Sequence, residues 1–108
     1  MTTAAIDVSK QFSPTPAGRY LSDGPYSGEA FREKLLFPAL NANDVVEINL
    51  DGALGYGSSF LEEAFGGLVR EKGLKMADLR RKLRIKTSRK FYGDRIWFYI
   101  EQAENKTK

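Results

Sequence analysis

A chain of 108 residues with no histidine and no cysteine has no imidazole base, Ser-His-Asp triad, disulfide or thiolate metal site available to it. Its 42% hydrophobic and 29% charged content, with a net charge of +3, fits one globular domain (1–108) around a single core. No apolar run approaches the roughly 20 residues that span a bilayer, and Met1-Thr-Thr-Ala-Ala-Ile-Asp7 lacks the basic and apolar stretches of a secretory signal, so a bacterial cytoplasm is the expected compartment.

Ile6 and Val8 mark a short first strand over residues 4–8, with 1–3 expected to fray. Residues 11–28 hold three of the four prolines, and Pro14-Thr-Pro16 and Asp23-Gly24-Pro25 are turn formers. Arg19-Tyr20-Leu21 between them predicts a second short strand and an N-terminal hairpin. The plain reading of the stretch is a rigid surface loop; the sharper one is a loop leaning over the turn at Ser58 and supplying Arg19 to an anion there. Ser27 begins the first helix, with Phe31, Leu35, Pro38 and Ala39 inward and Arg32, Glu33 and Lys34 outward. Pro38 should kink or tighten the last turn, and residues 41–44 form a loop.

Residues 45–73 organise the chain. Val46, Ile48 and Leu50 alternate with Glu47 and Asn49, a strand with one apolar face. Gly52, Gly55 and Gly57 let the chain turn out of the sheet. Ser59 and Glu62 have the spacing of a capping box, and Leu61, Ala64, Phe65, Leu68 and Val69 trace one helical stripe. Gly66 and Gly67 each cost about 1 kcal/mol in a helix, which close approach to a neighbouring element would offset. Gly73 is placed to end the helix. Ser58 is then left on the turn at the positive end of the helix dipole, where an anion or attached phosphate would meet unpaired N–H groups. The turn lacks the Gly-Lys-Ser/Thr ending of a phosphate-binding loop. Asp51 is the acid next to the serines and could orient a hydroxyl or hold a metal, but one carboxylate without a second favours neither, and no cofactor is expected.

Met76–Lys82 predicts a helical turn and 82–87 a strand with Leu83 and Ile85 inward. Tyr92, Ile96, Tyr99, Ile100 and Ala103 predict a helix over 88–105, with 104–108 frayed. Its rival is a strand over 95–100 pairing with 82–87 as a hairpin; the length of the apolar pattern favours the helix. Trp97 and its aromatic neighbours belong with the core, and surplus rings are a candidate homodimer or partner patch. Between Arg70 and Arg95 eleven bases face three acids, against six and eleven elsewhere. Arg80, Arg81, Arg84, Lys86, Arg89 and Lys90 are therefore a candidate nucleic-acid patch, although they match no binding signature and ordinarily such runs are solvated. The element order predicts an α/β domain bordering on α+β, with helices mainly on one face of the sheet.

Asn49-Leu-Asp-Gly-Ala-Leu-Gly-Tyr-Gly-Ser-Ser-Phe-Leu-Glu-Glu-Ala-Phe-Gly-Gly-Leu68 resembles the signature of small bacterial STAS-like domains of unknown function (sulfate transporter and anti-sigma-factor antagonist). Phe12-Ser-Pro-Thr-Pro-Ala-Gly-Arg-Tyr-Leu-Ser-Asp-Gly-Pro-Tyr-Ser-Gly-Glu29 resembles their N-terminal portion. The resemblance covers most of residues 12–72. It implies a small mixed sheet of about four strands flanked by helices. It also implies a non-enzymatic protein-interaction module docking through the Ser58 turn and the following helix. In the characterised antagonists, a partner serine kinase with a histidine-kinase-like ATPase fold phosphorylates a serine on this turn and so releases the antagonist. The match places Ser58 at the phosphoacceptor with Ser59 beside it. Gly57 stands where the antagonists have aspartate, and Phe60 where they have glycine. A nucleic-acid-associated module is the alternative; an enzyme using Ser58 as nucleophile lacks an evident base.

Overall fold

The computed structural model describes residues 1–107. Three strands, β1 (Thr3–Asp7), β2 (Val45–Asn49) and β3 (Leu83–Lys86), form one sheet in the order β1-β2-β3 with every pair parallel. The sheet expected to be mixed and of about four strands is thus three-stranded and parallel. The predicted N-terminal hairpin is absent, because Arg19-Tyr20-Leu21 is not a strand. Asp23 accepts the Arg19 and Tyr20 N–H groups at 3.1 and 2.8 Å, and Leu21–Asp23 closes as a 3₁₀ turn. Gly18 at φ +95° begins this turn. Turn chemistry consumes the backbone groups that a hairpin ladder would need.

Helices connect the strands. α1 is the single turn Val8–Gln11, capped by Asp7, so Val8 leaves the strand that the alternation assigned it to. α2 spans 28–42 with Ser27 as its cap, Ser27 Oγ accepting Ala30 N–H at 3.1 Å. α3 spans 58–70, α4 is Met76–Lys82 and α5 is Lys90–Thr107. α5 runs straight through 95–100, which excludes the rival hairpin, and its buried residues are Tyr92, Ile96, Ile100 and Ala103. It continues past the residue where the sequence predicts fraying: Glu104 accepts Met76 N–H at 2.7 Å and ties the helix end to α4. Lys108 lies outside the described residues. Thr2 N–H is likewise held, by Asp44 at 2.8 Å.

Sequential strand order with right-handed parallel crossovers places the connections on one face of a sheet, and burial agrees. Ile6, Val46, Ile48 and Leu83 are buried on that face, whereas Ala5, Glu47, Arg84 and Lys86 are exposed on the other. The core combines those strand residues with Phe31, Leu36, Phe60, Leu61, Phe65, Leu68, Ile96 and Ile100. α3 is its centre, packed between α2 and α5, with Phe60, Leu61 and residues 63–69 buried. Each such large side chain contributes about 1.5–3 kcal/mol by leaving water.

α2 and α3 each contain a π turn, Arg32–Leu36 and Glu62–Gly66, which widens the helix and shifts the phase of its later turns. On α2 the buried residues are Gly28, Ala30, Phe31, Arg32, Leu36 and Leu40, while Pro38 is exposed and Leu35 and Ala39 are half-buried. Arg32, expected to point outward, is 3% exposed. Its Nη1 donates to Glu63 Oε2 at 2.8 Å and Glu63 O at 2.6 Å, and its Nε to Glu33 Oε2 at 2.8 Å. The guanidinium lies over Gly67, where any Cβ would collide with Nη1. Gly28 permits a similar approach of α2 to α3, since a Cβ there would strike Phe60 O. Gly73, at φ +72°, ends α3; its N–H reaches Val69 O and that of Leu74 reaches Leu68 O.

Candidate functional site

In open parallel sheets, ligands and partners meet the loops at the carboxyl ends of the strands. Here that edge gathers the loop 50–57 after β2, the first turn of α3, and residues 87–89 between β3 and α5. A cleft of about 140 Å³ opens between the loops, lined by residues that include Asp51, Gly52, Tyr56, Ser88, Arg89 and Tyr92.

Two side chains hold this edge in shape. Asp51 accepts both the N–H and the Oγ–H of Ser88, each at 2.9 Å. The Ser88 N–H, then its hydroxyl, hold the Asp51 carboxyl below its ordinary value. Asp51 thus fastens the β2 loop to the start of α5 rather than orienting a serine of its own turn. Tyr56 donates from its hydroxyl to Leu50 O at 2.7 Å, and its N–H donates to Tyr92 Oη at 3.2 Å. Burial, then the neighbouring Tyr92, pushes the Tyr56 phenol far above its usual range. The Tyr56–Tyr92 and Asp51–Ser88 connections span up to 37 residues of sequence, and no local pattern announces them.

Gly57, not Ser59, is the N-cap of α3 (φ −74°, ψ 157°), and no side chain caps the helix. Ser58 and Ser59 occupy the first turn and are exposed. The predicted capping box does not form because Glu62 turns elsewhere. It pairs with Arg19 and, at 2.7 Å, with Arg70. Burial alone would raise the Glu62 carboxyl; the hydrogen bonds from Arg70 and Arg19 outweigh it and leave it below its ordinary value. Arg19 also lies 3.4 Å from Glu63. The sharper reading set Arg19 over the Ser58 turn; in the structure Arg19 instead pairs with Glu62 and Glu63, one turn further along α3. Phe60, at the position where the antagonists have glycine, is buried against Phe12, Phe31 and Tyr56.

Of the helix expected to carry the docking surface, Phe60, Leu61 and residues 63–69 are buried, and Ser58 and Ser59 are exposed at its start. Two large apolar side chains are exposed on neighbouring segments: Leu54, 82% exposed on the β2 loop, and Phe91, 49% exposed in the first turn of α5.

The basic residues of 80–90 do not converge. Arg80 stacks on the half-buried Trp97 at 4.5 Å, Arg81 pairs with Asp78, and Arg84 reaches the carbonyls of Arg80 and Leu83. Lys86 lies on the open sheet face, while Arg89 and Lys90 flank the cleft edge, Lys90 3.9 Å from Asp94. Among the described residues no cluster of three or more carboxylates is placed to hold a metal, and no helix is long and apolar enough to cross a membrane.

A small parallel sheet covered on one face, with a serine exposed where the second strand turns into a buried helix, defines an α/β domain of the STAS-like class. Residues 27–90 match the family described as STAS-like domain of unknown function (DUF4325), and the chain belongs to it. The matched span holds α2, β2, α3, α4 and β3, and so extends past residue 72, where the resemblance in the sequence thins. No curated protein and no solved structure matches the chain.

Proposed function

We propose that this domain is a non-enzymatic protein-interaction module of the antagonist kind, read by its partner at the 51–59 turn and switched by phosphorylation of Ser58. The observation that carries the reading is the exposure of Ser58 on the first turn of a helix whose body is sealed in the core. Leu54, exposed on the same turn, supplies apolar contact for a partner. A phosphate on Ser58 would bring a charge of about −1.5 to −2 to the helix start, where unpaired N–H groups and the dipole favour it. Ser58 and Glu62 are four residues apart and share a helix face. The phosphate would therefore compete with Glu62 for Arg19, loosening the N-terminal loop from α3 while repelling an acidic partner surface. The partner this chemistry suits is a histidine-kinase-like ATPase acting as serine kinase.

The test is incubation with ATP and such a kinase from the same genome, followed by intact mass. One added phosphate is expected, abolished by Ser58→Ala and retained by Ser59→Ala. Failure of every such kinase to modify the chain, or a Ser58→Glu variant that binds its partner as wild type does, would refute the switch.

A further inference from the structure

The free edge of β1 has a specific hydrogen-bonding pattern. Val45 N–H donates to Thr2 O at 3.1 Å, and the register sets Thr3 beside Val45 and Ala5 beside Glu47. In a parallel ladder this turns the peptide groups of Thr2, Ala4 and Ile6 toward β2, and those of Thr3, Ala5 and Asp7 away from it. Asp7 N–H is already taken by Gln11 Oε1. Thr3 and Ala5 are exposed, so their two N–H and two C=O groups stand open. β3, at the other edge, carries Arg84 and Lys86, charges of the kind with which natural sheets discourage pairing. β1 reads Thr-Ala-Ala-Ile-Asp, with no charge before Asp7, no proline and no bulge.

We propose that a second copy of this chain occupies the β1 edge, pairing antiparallel about a twofold axis at Ala4 and joining the two sheets into one of six strands. In that register Thr3 of each copy faces Ala5 of the other, and each such pair exchanges two hydrogen bonds. All four open groups on each copy are used, and the Asp7 N–H held by Gln11 is not needed. A register centred on Ala5 would set Thr3 against Asp7 and find that donor occupied. The edge is thus self-complementary, as a twofold interface requires. Only small, uncharged side chains meet across the axis, whereas pairing β3 with β3 would oppose Arg84 and Lys86 to each other. The Ser58 turn is not involved, so the pairing stands or falls independently of the switch.

Sedimentation over a concentration series reaching the millimolar range tests it. The average mass of the wild type is expected to rise from 12.1 kDa toward twice that value. Ala5→Pro, which removes an outward N–H without touching the ladder to β2, should stay monomeric with unchanged circular dichroism. A second probe needs no proline. Opposed residues of a non-hydrogen-bonded antiparallel pair lie about 4.5 Å apart at Cα, within disulfide range. Ala4→Cys, the chain's sole thiol, should therefore oxidise to a covalent dimer. Thr3→Cys should not, since the two copies of residue 3 lie beyond about 7 Å. A wild type monomeric at every concentration, undiminished dimer in Ala5→Pro, or equal cross-linking of the two cysteine variants would overturn the proposal.

Discussion

Gly67 and Arg32 provide a test in which one substitution is expected to change sign. In the wild type, Gly67→Ala places a methyl where Arg32 Nη1 lies, with Cζ 3.0 Å and Cδ 3.2 Å away. The guanidinium has little freedom to yield. Nη1 is fixed by Glu63 Oε2 and Glu63 O, Nε by Glu33, and the side chain is 4% exposed. Making room means breaking the buried Arg32–Glu63 pair, which costs about 3–5 kcal/mol when one partner is lost. Alanine returns about 1 kcal/mol over glycine inside a helix. The net expectation is a loss of about 2–4 kcal/mol, a large share of the roughly 5–15 kcal/mol that a domain of this size has. In an Arg32→Ala background the obstacle is gone, and the same Gly67→Ala change should stabilise by up to about 1 kcal/mol. Urea unfolding of the four proteins of this cycle, followed by circular dichroism, measures the coupling directly. If Gly67→Ala shifts stability equally in both backgrounds, the guanidinium does not occupy the space above Gly67 and the account of the α2–α3 contact fails.

The candidate site carries two further expected outcomes. Gly57 caps α3 without a side chain, and a Cβ there meets nothing within 4 Å. Gly57→Asp should therefore add a cap and a favourable charge at the helix start, about 0.3–1 kcal/mol, seen as a melting temperature higher by roughly 1–4 °C; a lower one would show that α3 does not begin at Gly57. With no histidine in the chain, stability should be nearly flat from about pH 5.5 to 7, below the range where the α-amino group titrates. Glu33, Glu62 and Asp51 have folded pKa values below their ordinary ones of 4.5, 4.5 and 3.8. Their contribution is present above those values and is lost as pH falls through the lower folded ones. Urea midpoints measured across pH should therefore drop only below about pH 4.5, and a fall between about pH 6 and 7 would contradict this assignment.

What the sequence disclosed and what it withheld divide along physical lines. The alternation of Val46, Ile48 and Leu50 was legible because a half-covered strand imposes period two. The helix over 95–100 was legible because Tyr92, Ile96, Ile100 and Ala103 keep its phase over three turns. Arg32 was not, because its charge argues for exposure and its partners, Glu63 and Gly67, lie on another helix. A mid-helix Gly67 beside an acid-rich turn was the available hint. The π turns, which move the buried face of α2 off Leu35 and Pro38, leave no periodic mark in a single chain. The Arg19-Tyr20-Leu21 strand failed because Asp23 and the flanking glycines supply a tight turn that competes locally with pairing.

The candidate site was legible in part for the same reason that the helix surface was misjudged. An apolar stripe on 61–69 predicted one buried face, yet Glu63, Gly66 and Gly67 on the other faces are buried too, because an ion pair and two glycines let α2 and α5 close in from both sides. A helix buried on most of its sides is open to another molecule chiefly at its ends and at the partly exposed Glu62. Its C-terminal end is closed by the Gly73 and Leu74 N–H groups bonding back onto α3. The N-terminal end is left with exposed Ser58 and Ser59 and no side-chain cap. The burial of residues 63–69 therefore leaves the proposed docking the Ser58 turn as its exposed start, and loosening that burial, as Gly67→Ala should, is expected to blur the turn's shape without altering a residue in it.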